Sequence, residues 1–228
     1  VFRNTALAGV LSVVLKRMFW YETVMSRMTS AQKNALALSL FTVAYNVLEG
    51  AVSIIAASLA GSTALLGFGL DSFIESLSGT VMVWRFWQYG VDADDPQIEA
   101  VEQKAARLVA YSFFILGGYV AFDAGLSLYH HEEPEVSFIG MAVAIASIVI
   151  MPMLFWVKYR LGKRIGSLSL VADSKQTLAC VILSVALLIG LVLNAVFGFW
   201  WADSAAALVI AVLIFQEGRE TLEESRGG

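Results

Sequence analysis

Of the chain's 228 residues, 58% are hydrophobic, and the mean hydropathy is +0.73, well beyond the roughly half-apolar usage of soluble domains. The composition is that of an integral membrane protein. Net charge is −4, with no basic patch apart from residues flanking apolar runs, which excludes nucleic acid as a partner. A single cysteine, Cys180, excludes an intrachain disulfide framework and a Cys-rich zinc finger.

In chain order, the first apolar stretch, residues 4–15, is too short to span a bilayer and is bracketed by Arg3, Lys16 and Arg17. No clear small-residue cleavage site follows it. It reads either as an amphipathic cytoplasmic arm or as a non-native extension, since Met28 would make a natural start. Residues 1–33 are therefore set apart from a membrane domain at 34–217 and a short cytoplasmic tail at 218–228. Within the domain, six apolar runs at 36–59, 64–87, 105–128, 136–157, 168–196 and 200–215 each approach or exceed the ~20 residues a spanning helix needs. An all-α membrane protein with six transmembrane helices is predicted. The fifth run is too long for one span and is expected to begin as a cytoplasmic extension.

The basic residues fix an expected orientation. Arg3, Lys16, Arg17, Arg27 and Lys33 precede the first run, and Arg85, Lys104 and Arg107 flank the second connection. Lys158, Arg160, Lys163, Arg164 and Lys175 lie around the fourth connection, and Arg219 and Arg226 follow the last run. The connections at 60–63, 129–135 and 197–199 contain none. Because cytoplasmic loops collect Lys and Arg, both termini are expected in the cytoplasm.

Two connections carry charge clusters. Asp92, Asp94 and Asp95 before Pro96 read as helix capping or as a peripheral cation site. His130, His131, Glu132, Glu133 and Glu135 around Pro134 read as a solvated loop with a proline turn, or as an acidic exit for departing cations.

The most informative residues lie inside the runs. Asp71 and Glu75 are four residues apart, about one helical turn, so both carboxylates face the same way. Ionised acids at bilayer depth cost several kcal/mol unless paired, and they mark ion paths or proton relays. Asn46 and Glu49 on the first helix share one face, as do Asp173, Gln176 and Cys180 on the fifth, and Asp203 lies on the sixth. Lipid cannot satisfy such groups, so they are expected to converge on one interior cavity. Soft sulfur beside hard carboxylates suits zinc, with cadmium, iron(II), cobalt or manganese as further candidates.

Three stretches carry a family resemblance. Leu48-Glu49-Gly50, the Ala60-Gly61-Ser62-Thr63-Ala64-Leu65 turn and Leu70-Asp71-Ser72-Phe73-Ile74-Glu75-Ser76 resemble the first two helices of the cation diffusion facilitator (cation efflux) family, in which a Gly-Ser turn leads into a helix bearing an acid or histidine pair. Ser169 to Gln176, with Ala172-Asp173, is similar to that family's fifth helix, and Trp201-Ala202-Asp203-Ser204 to its sixth. The resemblance covers residues 36–217. It implies a six-helix, usually homodimeric transporter that exports divalent metal in exchange for protons, with a tetrahedral site from helices two and five and no permanently bound cofactor.

Carried over by position, the implied metal ligands are Asp71 and Glu75 with Gln176 and Cys180. Apart from the resemblance, Asp173 reads as a further direct ligand, and Asn46, Glu49 and Asp203 as supporting residues, Glu49 standing where the family often has a Lys or polar residue and Asp203 bracing the sixth helix. Gln176 and Cys180 stand where the family generally has His or Asp. The family's C-terminal cytoplasmic domain is missing from this chain, which reads as a short form. The plasma (inner) membrane of a prokaryote is the expected location. An enzyme is not expected, since both histidines lie in a connection and no serine sits in a recognisable nucleophile elbow. The alternative reading is a non-transporting membrane subunit whose buried acids serve helix association. A carrier of an organic cation would need an aromatic-lined cavity, for which Phe68, Phe73 and Trp84 are candidates.

Overall fold

A computed structural model of the chain describes residues 29–89 and 96–226. Residues 1–28 of the expected arm and the acidic residues at 92–95 lie outside them. Among the described residues all regular structure is helical: α1 (Ser30–Ala60), α2 (Thr63–Tyr89), α3 (Pro96–His130), α4 (Phe138–Ile165), α5 (Leu168–Phe197) and α6 (Trp201–Glu224). Each of the six predicted runs falls within one helix apart from a residue or two at its ends. The fifth run forms one continuous helix with no break after its polar start. The sixth helix continues nine residues beyond the predicted run, because the segment after Phe215 is rich in helix-forming residues and holds an Arg219–Glu223 pair one turn apart at 3.3 Å.

Local chemistry sets the boundaries. Ser137 and Ser167 accept hydrogen bonds from the backbone N–H of Gly140 and Leu170, which caps the starts of α4 and α5. Gly61 has φ +66°, a left-handed conformation that lets the chain turn from α1 into α2 within two residues.

Five of the helices are long and apolar enough to cross a membrane. The exception is α2, which at 27 residues, about 40 Å, has the length but carries the acids. Its position explains how the fold tolerates this, since α2 packs against α1, α3, α5 and α6. Leu65 and Phe68 of α2 join Ala56, Phe113, Val120, Met151, Leu183, Leu187 and Ile210 in one core drawn from all six helices. Large apolar side chains such as Leu59, Ile115, Phe122, Phe138 and Met153 are exposed on the outside. An outward apolar surface of this extent belongs in lipid, and the chain is a multi-pass membrane protein.

The connections α1–α2, α3–α4 and α5–α6 gather at one end, the end with no basic residue. Glu135 donates its backbone N–H to the Ala60 carbonyl at 2.8 Å, Asn194 donates to the Pro134 carbonyl at 2.9 Å, and His131 stacks on Trp200 at 4.8 Å. The histidine loop is thus tied to the ends of α1 and α5, with both imidazoles exposed.

The approach of α1 to α2 is close. A Cβ on Gly69 would lie 2.9 Å from Ser53 Cβ and 3.1 Å from the Gly50 carbonyl oxygen, and one on Gly50 would lie 2.8 Å from the Gly69 oxygen. Only glycine at these positions lets the two backbones meet this way, and the contact sits two residues before Asp71 and one after Glu49.

Candidate cation site

Asp71 is completely buried, and neither of its carboxylate oxygens has a hydrogen-bond partner among the described residues. A buried carboxylate without donors is costly, and a native fold keeps one only where something else is meant to meet it. Glu75, one turn along α2, is also buried, and its Oε2 accepts from Asn46 Nδ2 of α1 at 2.9 Å. The other end of that amide, Asn46 Oδ1, is buried without a partner. Glu49 is better served: Tyr45 donates to its Oε1 at 3.0 Å and Ser72 to its Oε2 at 3.1 Å.

The α5 residues divide. Cys180 is a buried free thiol within electrostatic reach of Glu49, Asp71 and Glu75. Gln176 lies on the same face of α5 nearer the basic end, and both ends of its amide are engaged: Ser78 of α2 donates to Oε1 at 3.0 Å, and Nε2 donates to Thr221 Oγ1 of α6 at 3.4 Å. Asp173 pairs with Lys158 of α4, Nζ to Oδ2 at 2.8 Å, and the same ammonium donates to Thr177 Oγ1 at 3.0 Å. Asp203 lies at the basic-free end. It accepts from Ser62 Oγ and from the Ala64 backbone N–H at 3.3 Å, and so fastens the start of α6 to the start of α2.

The structure therefore brings Asn46, Glu49, Asp71, Glu75 and Cys180 to one interior region. It holds Gln176 and Asp173 in bonds of their own and places Asp203 at the far end. Among the described residues no three His, Cys, Asp or Glu side chains converge closely enough to hold a metal ion.

One acid was missed by the sequence reading. Glu217, which the sequence places in the expected junction with the tail, is buried on α6, has an unpartnered Oε1, and lies within electrostatic reach of Asp71 and Glu75. Helix register accounts for its depth. The Asp203–Ser62 contact aligns the starts of α6 and α2, Ile210 packs over Gly67, and Glu217 then lies about 21 Å along α6, level with Glu75 about 20 Å along α2. The available signal was the buried stripe Asp203, Ala207, Ile210, Ile214, Glu217 and Thr221, which keeps helical spacing past Phe215.

A six-helix membrane bundle with carboxylates gathered in its interior defines a class of proteins that handle cations within the bilayer. Residues 39–227 match the family model described as the cation efflux transmembrane domain, and the chain belongs to that family, a family of transporters rather than enzymes. It is 26% identical over 204 residues to the manganese efflux system protein MneS of Bacillus subtilis, covering 88% of this chain and 70% of that protein. It is 27% identical over 194 residues to the cation-efflux pump FieF of Shewanella oneidensis, covering 84% and 62%. An uncharacterized transporter of Synechocystis sp. is 26% identical over 171 residues, 74% of this chain and 55% of that protein. The chain thus spans between 55% and 70% of the length of these relatives.

Proposed function

We propose that the protein exports a divalent transition-metal ion in exchange for protons by alternating access, with Asp71 at the centre of the site. The observation that carries this reading is the Asp71 carboxylate, fully buried with both oxygens free of donors, one turn from Glu75. In the inward-open form Asp71 and Glu75 bind the metal, with Cys180 and Gln176 of α5 completing the set. In the outward-open form protons compete for the same carboxylates and release the ion, since ligands must be deprotonated to hold metal. Coupling then needs no separate proton channel. The basic end faces the cytoplasm, and the working unit is a homodimer in a prokaryotic plasma membrane.

Zinc is the first cargo, because Cys180 supplies a buried thiol in the same interior as the carboxylates. Manganese is the competing cargo, because the unpartnered acceptors Asp71 Oδ1 and Oδ2, Asn46 Oδ1 and Glu217 Oε1 are all hard oxygens and a relative is named for manganese efflux. The alternative, a non-transporting subunit, draws on Asp203, Glu75 and Asp173, each of which uses an oxygen to join another helix. Asp71 does not fit that role.

Flux into proteoliposomes under an imposed pH gradient separates the readings. Gradient-driven uptake of zinc or manganese, abolished by Asp71→Asn, is expected. No flux of zinc, manganese, iron(II), cobalt or cadmium through folded native protein would sink the carrier. Loss of zinc but not manganese flux in Cys180→Ser would assign the thiol to zinc.

A further inference from the structure

Six acids are buried in the described bundle, Glu49, Asp71, Glu75, Asp173, Asp203 and Glu217, and the one buried basic side chain among the described residues is Lys158. Its ammonium is 1% exposed, lies 2.8 Å from Asp173 Oδ2 and donates to Thr177 Oγ1 at 3.0 Å. Both contacts join two adjacent helices, α4 and α5, and Asp173 and Thr177 share one face of α5 with Gln176 and Cys180.

We propose that Lys158 is a built-in counter-cation that holds Asp173 out of the metal-ligand set and so limits how tightly the site binds divalent metal. The inference rests on the metal-carrier reading above. Asp173 is the one acid of α5 and shares a helical face with Gln176 and Cys180, yet its carboxylate faces an ammonium at contact distance. A divalent ion that recruits Asp173 must displace that ammonium into a buried region, an unfavourable exchange. The pair is neutral, so it adds no net attraction for the cargo. Without the lysine, the same carboxylate becomes a free negative group on the α5 face that carries Gln176 and Cys180. A carrier has to release its ion as well as bind it, and a tethered cation that keeps one carboxylate occupied favours release. Lys158 is thus a positioning residue, acting through Asp173.

The test is equilibrium dialysis of purified full-length chain in detergent against Zn²⁺ and, separately, Mn²⁺, for native protein, Lys158→Met, Asp173→Asn and the double variant. Lys158→Met is expected to bind metal about tenfold more tightly or better, and adding Asp173→Asn is expected to remove that gain. Asp173→Asn alone, which leaves the lysine unpaired in the interior, is expected to bind more weakly. A residue that only braces α4 against α5 gives no gain of affinity on removal. Lys158→Gln, whose amide can still donate to Asp173 and Thr177, gives the same comparison if Lys158→Met does not fold. Unchanged or weaker binding by the folded lysine variant, or a gain that persists in the double variant, overturns the proposal while leaving the carrier reading intact. Native protein that is folded and binds neither ion overturns both.

Discussion

Asp203, at the start of α6, caps the start of α2: one carboxylate oxygen accepts from Ser62 Oγ and the other from the Ala64 backbone N–H at 3.3 Å. One orphan backbone donor of the α2 N-terminus and the Ser62 hydroxyl beside it are thereby satisfied by a side chain from a helix distant in sequence. This contact fixes the register of α6 against α2, and that register carries Glu217 to the depth of Glu75.

Asp203→Ala leaves the buried Ser62 hydroxyl and the Ala64 N–H without their acceptor. The expected cost is about 1–3 kcal/mol of stability, read as a lower midpoint in thermal unfolding of the detergent-solubilised protein. Ser62→Ala removes one of the two bonds and is expected to cost less than Asp203→Ala. Equal midpoints for native protein and Asp203→Ala would show that the cap does not hold the bundle.

Asp71→Asn is expected to behave in the opposite way. No hydrogen bond is lost, since neither oxygen has a donor, and a buried charge with no local partner is removed. Stability is expected to hold or rise, while proton-driven metal flux disappears. A variant that loses both flux and stability would mean that Asp71 serves the fold.

The helices were legible because their signal is coarse: six apolar runs, each long enough to cross lipid, and basic residues confined to alternate connections. The pairing of Asp71 with Glu75 was legible from one-turn spacing. Partners across helices were less so. Nothing in the local sequence announces that Lys158 of α4 meets Asp173 of α5, because residues fifteen apart become neighbours only through the α4–α5 turn at Gly166. Gln176 shows the same limit. Its spacing from Cys180 marks one face, but whether its amide is free or held by Ser78 and Thr221 depends on how α2 and α6 pack against α5. Glu217 escaped because an apolarity profile ends at Phe215, whereas the buried stripe of α6 does not.

Gly69→Ala tests how far the site depends on the close contact of α1 with α2. The new methyl would meet Ser53 Cβ at 2.9 Å, Ile54 Cγ1 at 3.0 Å and the Gly50 oxygen at 3.1 Å, and one of those is backbone that cannot turn aside. Overpacking of this kind costs about 1–3 kcal/mol. The helices must separate near Asp71 and Glu49, so metal affinity is expected to fall together with the unfolding midpoint. Gly118→Ala, which meets nothing within 4 Å, is the control and is expected to leave the midpoint unchanged.

Glu217→Gln distinguishes an acid that draws cations from one that merely lies near the end of a helix. Glu217 is buried with a bare Oε1 at the depth of Glu75, while Glu220, about one turn further along α6, is exposed. In a low-dielectric interior a unit charge acts on a divalent ion well beyond contact distance, whereas an exposed carboxylate is screened within about 10 Å by salt. Glu217→Gln is therefore expected to weaken zinc and manganese binding by roughly tenfold, about 1.4 kcal/mol, and Glu220→Gln by much less. Titrations repeated at low and high salt sharpen the comparison: the Glu217 effect is expected to survive added salt, and any Glu220 effect to vanish. Equal affinities for native protein and Glu217→Gln would place this acid outside the cation's field, and its burial would then reflect the packing of α6 against α2 and α3 alone.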